Sequence, residues 1–165
     1  HFPENVRVLR CGGRERAESV VNGLLNAGFD RDAWVLVHDA ARPCITHHDI
    51  DALIHAGLAE DGAILGNRVR DTMKRSDASG RIQKTVDRNQ LWHALTPQFF
   101  RTRQLEAALQ QGLKSGAVIT DEASAMELAG WHPLMVEGRA DNLKVTRPED
   151  LALAALFLSQ QEASA

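Results

Sequence analysis

The feature that most constrains the fold of this chain is a run of four apolar residues, Trp34–Val37. An alternating pattern would indicate a strand with one face in water, whereas an unbroken apolar run indicates a strand covered on both faces by helices. A second short apolar run covers residues 63–65, and a helical pattern lies between the two. Strands that alternate with helices favour a parallel sheet. The sequence therefore predicts an α/β fold, with a mostly parallel sheet flanked by helices.

Further segments extend this pattern. Gly12 and Gly13 separate a short β-rich run from a helical pattern that ends at Gly28, which is a typical C-terminal stop. Threonines stand where later helical patterns begin, as helix N-caps often do, and Thr146 with Glu149 has the spacing of a capping box. We expect strands at residues 6–9, 92–96, 134–136 and 143–145, and helix starts at Thr46, Thr102, Thr120 and Thr146.

Residues 68–89 differ from the rest of the chain because they are polar and basic, with a turn at Ser79 and Gly80. This pattern predicts a β-hairpin arm that projects from the body. An isolated two-stranded hairpin is at best marginally stable in water. We therefore expect the arm to pack on a second subunit, which predicts a homodimer.

The composition limits the number of domains and the kinds of partner. With 165 residues, of which 44% are hydrophobic and 25% charged, we expect residues 1–165 to form one domain with a single core. The formal charge of -3 provides no basic field that would attract nucleic acid or a membrane surface. Any anionic ligand must therefore be held by local groups.

The chain has no apolar run long enough to span a membrane, and its first ten residues lack the layout of a signal peptide. These features predict a cytoplasmic protein. Cys11 and Cys44 show no metal-binding spacing, so we expect two reduced thiols. The histidines have no convincing metal-ligand spacing either, and we expect them to be structural or exposed.

Candidate functional residues follow the predicted strands or begin the predicted helices, where open α/β sheets bind their ligands. Gly12 and Gly13, with Ser19 nearby, could bring a backbone close to a base or phosphate, although a tight turn without a ligand is the commoner use of such a pair. The segment from Asp39 to Arg42 could hold a metal or a hydroxyl beside a phosphate. Equally, Asp39 could cap a turn and pair with Arg42.

Other polar residues leave two interpretations open. Lys144 lies inside an apolar pattern, so its ammonium either reaches the surface or points into the site as a phosphate ligand. The basic residues of the arm form either a solvated face or a phosphate-binding surface. Thr120 and Thr146 are more often helix caps than ligands, but a threonine at a helix N-terminus can serve as both.

Six motifs that occur in order along the chain carry a family resemblance: GGRERAESV, WVLVHDAARPC, VRDTMKR, TVDRNQLWHALTPQFF, ITDEASAMELAG and VEGRADNLKVTRPEDL. Together they resemble the 2-C-methyl-D-erythritol 4-phosphate cytidylyltransferases of the non-mevalonate isoprenoid pathway, from Val6 to Leu156. The resemblance implies a Rossmann-like domain whose arm interlocks two subunits. It also implies that CTP and methylerythritol phosphate are joined, with Mg²⁺ or another divalent cation, into 4-diphosphocytidyl-2-C-methyl-D-erythritol and pyrophosphate.

The resemblance also implies roles for individual residues. Arg88, at the base of the arm and acting across the dimer, and Lys144 would be the catalytic residues that position the sugar phosphate. Asp39 would bind the metal. Nucleotide binding is implied for Gly12, Gly13, Ser19, Asp39 and Ala40, and substrate binding for Asp39, Arg42, Thr72, Thr96, Thr120 and Lys144.

One departure from the family pattern concerns its glycine-rich N-terminal loop, which carries an arginine, is followed by a lysine and wraps the triphosphate. No segment of this sequence matches it. We therefore expect these 165 residues to be part of a longer protein and to be inactive alone. Two alternatives stay open, a ribitol 5-phosphate cytidylyltransferase and a noncatalytic nucleotide-binding dimer module.

Overall fold

A computed structural model describes residues 3–163 of the chain, so residues 1, 2, 164 and 165 of the predicted domain lie outside the described range. It consists of five helices and six strands within that range. In chain order these are α1 (Arg16–Ala27), β1 (Trp34–Val37), α2 (His47–Gly57), β2 (Ala63–Arg68), β3 (Met73–Ser76), β4 (Ile82–Val86), β5 (Trp92–Arg101), α3 (Thr102–Ser115), α4 (Glu122–Leu128), β6 (Leu134–Glu137) and α5 (Pro148–Ala163).

The central sheet has four strands in the order β1-β5-β2-β6. β5 is antiparallel to both β1 and β2, whereas β2 and β6 are parallel. Strands β1, β2 and β6 therefore run in one direction, and the reversed strand β5 lies between two of them. The predicted α/β architecture is confirmed, but the sheet is mixed rather than mostly parallel by its pairings. No helix connects β2 to β5, and an antiparallel neighbour needs no helical crossover.

The hydrophobic core has two parts, one on each face of this sheet. Ile64 and Phe100 face α1, α3 and α4, whereas Leu65 and Phe99 face the side covered by α2. Successive residues of a strand point to opposite faces, so the neighbours Phe99 and Phe100 anchor different halves of the core. Phe99 also stacks on Trp34, with ring centroids 4.6 Å apart. This two-sided burial explains why the strand sequences are apolar without interruption.

Two predicted strands are wrong. Residues 6–9 have no regular structure, and no strand in the described range pairs with them. Residues 143–145 also form a loop, which is held to the body by the Val145 N–H donating to the Ala41 carbonyl at 2.8 Å. The strand predicted at residues 92–96 is present as β5, but it is longer than predicted and ends at Arg101. The register shift between Ile64 and Gly66 interrupts the ladder opposite Pro97, which has no N–H to donate.

The helix ends confirm some capping predictions and correct others. Gly28 ends α1 in the left-handed conformation, with φ 70°, and the Thr46 side chain caps α2 by accepting the Asp49 N–H at 3.2 Å. Thr102 is not a cap, because its hydroxyl donates to the Ala33 carbonyl at 3.0 Å. The sequence pattern therefore does not distinguish a threonine that caps a helix from one whose hydroxyl binds a neighbouring loop.

α4 and α5 are capped by carboxylates. Asp121, not Thr120, is the N-cap of α4, and it forms a capping box with Ser124. At the start of α5, the Asp150 carboxylate accepts the N–H groups of Thr146 and Arg147, each at 2.9 Å. The predicted partner at the start of α5, Glu149, was therefore one residue too early.

The predicted hairpin is present. β3 and β4 pair only with each other among the strands of the described range, and nearly all of their residues are exposed. The Asp77 carboxylate closes the turn by accepting the N–H groups of Ser79 and Arg81, at 2.9 and 3.0 Å. A separate finding is that none of the helices within residues 3–163 is long and apolar enough to cross a membrane.

Candidate active site

Five of the predicted site residues line one cleft of about 270 Å³. The cleft lies beyond the carboxyl end of β1, where an open α/β sheet places its ligands. The five are Asp39, Arg42, Thr96, Thr120 and Lys144, and Arg16, Ala94, Leu95, Gln98 and Asp121 complete the lining. A larger groove of about 740 Å³ lies between the start of α2 and the end of α5, but none of the predicted site residues line it.

Asp39 is the centre of the cleft's charge. Its Oδ1 accepts a hydrogen bond from Arg16 Nε at 3.2 Å, and its Oδ2 lies 2.9 Å from Lys144 Nζ. Arg42 Nε is 3.8 Å from the same Oδ2. One carboxylate therefore faces three cationic groups. Glu122 balances one of them, Arg16. Arg42 and Lys144 are the groups that favour an anionic ligand. Of the two interpretations of Lys144, this contact supports a side chain that points into the site.

The loop that carries Asp39 and Arg42 is held by a network of polar contacts. Asp39 N–H donates to Thr96 Oγ1 at 3.0 Å, and His38 lies 3.0 Å from the same oxygen and 2.9 Å from the Arg42 carbonyl. Arg42 Nη1 donates to the Asn142 carbonyl at 2.8 Å, and Asn142 Nδ2 donates to the Thr96 carbonyl at 2.9 Å. These contacts fix the cleft on loops that are otherwise irregular. His38 was expected to be structural, and its contacts agree with that prediction.

Burial and neighbouring charges shift the pKa values of the ionisable groups of the cleft in opposite directions. Burial would raise the pKa of Asp39, but the hydrogen bond from Lys144 and the charge of Arg16 outweigh it, so the pKa lies below its ordinary value. Burial lowers the pKa of Arg42, against the opposing charge of Asp39. Arg42 Nε is buried and has no hydrogen-bond partner, although Asp39 is near. The cleft therefore holds an ionised carboxylate beside a buried guanidinium whose Nε–H is unpaired.

Arg16 is a cleft residue to which sequence reasoning gave no role. Its Nη1 and Nη2 donate to both carboxylate oxygens of Glu122, at 2.6 and 3.0 Å, while its Nε contacts Asp39. Burial raises the pKa of Glu122, and the hydrogen bonds and charge of Arg16 oppose that rise. Burial also disfavours the charged form of Arg16, but Glu122 and Asp39 outweigh it and raise its pKa. The only sequence signal for Arg16 was its place in the first motif, at the start of a helix.

The predicted nucleotide-binding residues Gly12, Gly13, Ser19 and Ala40 do not line the cleft. The two glycines lie just before α1, and the Gly13 N–H donates to Ser19 Oγ at 2.9 Å. A Cβ on Gly13 would lie 2.3 Å from the Cβ of Glu18, closer than real side chains approach. Gly13 is therefore required by a close backbone approach at the helix start, whether or not a ligand binds there.

Thr72 and Arg88, also predicted, lie at the base of the hairpin and are exposed. Arg88 Nη1 donates to the Arg70 carbonyl, and neither residue lines the cleft of its own chain. A small groove of about 220 Å³ at the same base contains Arg68, Arg70 and Asp71. The single chain therefore does not bring the two arm residues into the site.

The residues of the cleft can be tested for their fit to a divalent cation. No cluster of three or more metal-ligating side chains occurs within residues 3–163. Mg²⁺ commonly keeps several waters and binds through one or two carboxylates together with substrate phosphates, so a lone Asp39 fits this mode. Asp121 is less suited because its carboxylate is part of the fold: it caps α4 by accepting Ser124 N–H and holds the buried Gln98 by accepting its Nε2, each at 2.9 Å. The contact that Asp39 makes with Lys144, by contrast, comes from a partly exposed side chain.

Comparison with known proteins gives a consistent result. The family model "2-C-methyl-D-erythritol 4-phosphate cytidylyltransferase" (IspD) matches residues 3–160. The relative of that name from Aeromonas hydrophila is 68% identical over 158 residues, which cover 95% of this chain and 64% of the relative. The chain therefore spans less than two thirds of that relative's length.

Solved structures agree with the match. The Francisella tularensis 2-C-methyl-D-erythritol 4-phosphate cytidylyltransferase superposes with a TM-score of 0.82 at 37% identity, covering 88% of this chain and 69% of that one. The enzyme of the same name from Thermus thermophilus gives 0.80 at 27% identity, with 96% and 80% covered. The motifs, the fold and these matches together show that the chain belongs to the 2-C-methyl-D-erythritol 4-phosphate cytidylyltransferase (IspD) family.

Proposed function

We propose that the protein transfers a cytidylyl group from CTP to 2-C-methyl-D-erythritol 4-phosphate, forming 4-diphosphocytidyl-2-C-methyl-D-erythritol and pyrophosphate. The observation that carries the proposal is the cationic cleft around Asp39 in a member of this family. Three cationic side chains converge on one carboxylate, and the substrates of this reaction are anionic phosphates. The names of the relatives state the same reaction.

In this mechanism an oxygen of the methylerythritol phosphate attacks the α-phosphorus of CTP, and pyrophosphate leaves. Two anions must approach each other, so cationic residues contribute mainly by positioning and by offsetting repulsion. Arg42 and Lys144 are placed to bind the sugar phosphate, with Thr96 and Thr120 in the same cleft. No protein nucleophile is needed.

Asp39 would hold the divalent cation together with the phosphates of the nucleotide. The cation would supply positive charge that neutralises the phosphate oxygens. Lys144 now contacts Asp39 at 2.9 Å and is partly exposed, so its side chain is free to turn toward a bound phosphate. Asp39 is thereby left available to the cation.

The nucleotide would bind near the start of α1 and the loop after β1. Gly12 and Gly13 offer a close backbone approach, Ser19 offers a hydroxyl, and the first N–H groups of a helix attract anions. Ala40 follows Asp39 on the loop, where a small side chain leaves room beside the base or ribose. Arg16 connects the two regions, because it begins α1 and contacts Asp39.

The arm would complete the site in a homodimer. Thr72 and Arg88 lie at the base of an exposed hairpin that has little apolar surface of its own to bury, and such a hairpin needs further packing to be stable. Packing on a second subunit would supply it and would bring these two residues to the partner's cleft. We further propose that the reaction takes place in the cytoplasm, where its nucleotide substrate is available.

Pyrophosphate release tests this proposal on the protein in its full natural length. CTP, Mg²⁺ and methylerythritol phosphate together should release pyrophosphate, and ribitol 5-phosphate in place of methylerythritol phosphate should not. Faster release with ribitol 5-phosphate would support the other sugar-phosphate specificity. Binding of CTP without release of its pyrophosphate in the presence of either sugar phosphate would support a noncatalytic nucleotide-binding module.

A further inference from the structure

Glu122 is a buried acid that the proposed mechanism does not use. Its side chain is fully shielded from solvent, at the first position of α4. Within residues 3–163 its one ion-pair partner is Arg16, whose Nη1 and Nη2 donate to both carboxylate oxygens. Burying a carboxylate is unfavourable unless it is paired and hydrogen-bonded, so Arg16 compensates for the burial of Glu122.

The same Arg16 guanidinium also contacts the centre of the cleft. Its Nε donates to Asp39 Oδ1 at 3.2 Å, and its Nη2 lies 3.0 Å from Glu122 and 3.2 Å from Asp39. One planar group therefore bridges a buried carboxylate and a cleft carboxylate. Arginine can do this because its donors lie in a rigid fork, whereas a lysine ammonium is a single point.

Two of the three cationic contacts of Asp39, those with Arg16 and Lys144, differ in how firmly they are held. Arg16 is fixed on its far side by the bidentate bond to Glu122. The Lys144 side chain is 43% exposed, and within the described range its one ion pair is with Asp39. When a phosphate enters the cleft, Lys144 can leave Asp39 at little cost, but Arg16 cannot move without leaving Glu122 unpaired in the interior.

We propose that Glu122 is a positioning residue, which acts through Arg16 to hold the Asp39 carboxylate in the orientation that the reaction requires. Its effect on turnover rests on the proposed function, whereas its effect on the Arg16–Asp39 contact does not. Glu122 touches no substrate in this scheme, and its role is carried by a continuous chain of hydrogen bonds from α4 to α1 and on to Asp39.

The alternative is that the pair only fastens α4 to α1. The chain offers a matched control, because Arg31 Nη2 donates to Glu106 Oε1 at 3.2 Å, and Glu106 is also largely buried. This second Arg–Glu pair does not line the cleft. Glu106→Gln therefore removes the largely buried carboxylate of a singly hydrogen-bonded Arg–Glu pair outside the cleft, and it reports the effect of losing a structural ion pair.

The first experiment is NMR of the Arg16 Nε–H group in the wild type and in the Glu122→Gln and Glu106→Gln variants. In the wild type this proton should be protected from exchange by its bond to Asp39. In Glu122→Gln the protection should be largely lost, because Arg16 loses the charged bidentate partner that holds its guanidinium against Asp39. Glu106→Gln should leave it unchanged. Equal protection in the wild type and Glu122→Gln would overturn the proposal, whether or not the protein is active.

The second experiment is turnover, measured with the protein in its full natural length. Glu122→Gln should lower kcat about tenfold and change the KM for CTP much less, because the substrate contacts remain. Arg16→Lys keeps a charge beside Glu122 and so protects folding, but it cannot bridge both carboxylates, and it should lower kcat similarly. Glu106→Gln should not change kcat. Wild-type kcat in Arg16→Lys would overturn the proposal, and absence of turnover in the wild type would count against the proposed function instead.

Discussion

At the residue scale, the properties of the cleft follow from the charges around Asp39. Its carboxylate is largely buried, which alone would favour the neutral acid, yet Lys144 and Arg16 lie close enough to reverse that preference. The result is an aspartate that stays ionised across the physiological range. Such a group can hold a divalent cation, and Lys144 can bind phosphate once it is released from Asp39.

The first prediction concerns the titration of Asp39. Its carboxyl should titrate below the ordinary aspartate value of about 3.9, and Lys144→Met should move its pKa upward because the largest favourable contact is lost. The measurement is the pH dependence of the Asp39 carboxyl carbon shift in NMR. An unchanged pKa in Lys144→Met would contradict the contact on which the account of the cleft depends.

The lowered pKa of Asp39 also determines how the stability of the fold changes with pH. Because the pKa of Asp39 is lower in the folded than in the unfolded chain, its ion pairs stabilise the fold above the unfolded value. That contribution should be lost as the pH falls through the folded pKa. In unfolding experiments the stability difference between the wild type and Asp39→Asn should therefore shrink below about pH 4. A stability difference that grows as the pH falls would contradict a lowered pKa of Asp39 in the folded protein.

At the element scale, the start of α1 is a place of tight backbone packing and also the proposed nucleotide site. Gly13 approaches the backbone and side chain of Glu18 so closely that any Cβ would overlap them. Ser19 accepts the Gly13 N–H, so the turn before α1 is held from both ends. A ligand that binds there would meet backbone groups whose positions are already fixed.

The second prediction is that Gly13→Ala destabilises the fold by about 1 kcal/mol or more, because an overpacked site must shift to accept the methyl group. Gly23→Ala, inside α1, is the matched control, since a Cβ there would meet nothing within 4 Å. It should stabilise the helix by about 0.5–1 kcal/mol, the usual gain of alanine over glycine. Chemical denaturation of both variants measures the two effects, and a loss of stability in Gly23→Ala or none in Gly13→Ala would contradict this account.

The elements also show what could be predicted from the sequence. Apolar runs identified β1 and β2, and polar residues that follow them identified Asp39 and Arg42, because burial and strand ends both leave strong local patterns. The reversal of β5 left no local signal, because strand direction depends on pairing with distant strands and not on the residues of the strand itself. Residues 143–145 have a strand-like composition but form a loop, because one backbone bond to Ala41 holds them instead of a ladder.

The residues of the cleft could likewise be predicted only in part, because some of their contacts join distant parts of the chain. Asp39, Thr96 and Lys144 were found because they lie in recognisable motifs, whereas the Arg16–Glu122 bridge depends on a contact between residues that are 106 positions apart. Glu122 resembled an ordinary helix-start acid. Only packing of α1 against α4 distinguishes a buried partner from a solvated one, and periodicity does not determine that packing.

At the scale of the whole molecule, the account depends on two chains sharing each site. Asp39, Arg42 and Lys144 line the cleft of their own chain, but Thr72 and Arg88 lie on an exposed arm. A two-fold dimer would exchange the arms so that each subunit completes the other's site. Sedimentation measurements on the protein in its full natural length should therefore show a dimer.

The third prediction separates action across the dimer from action within one chain. Arg88→Ala and Asp39→Ala should each be nearly inactive as pure proteins, and Arg88→Ala should impair use of methylerythritol phosphate more than CTP affinity. When the two are mixed and allowed to exchange subunits, about a quarter of the wild-type activity should return, because half of the dimers then contain one intact site. No recovery after exchange would place Arg88 in its own chain's site.

The most direct test of the central claim is pyrophosphate release by the protein in its full natural length. With CTP, Mg²⁺ and methylerythritol phosphate, the account predicts release that depends on all three and that is lost in Asp39→Ala. Ribitol 5-phosphate should not replace methylerythritol phosphate. If no pyrophosphate is released from CTP in the presence of methylerythritol phosphate, or if Asp39→Ala leaves the release unchanged, the proposed function is contradicted.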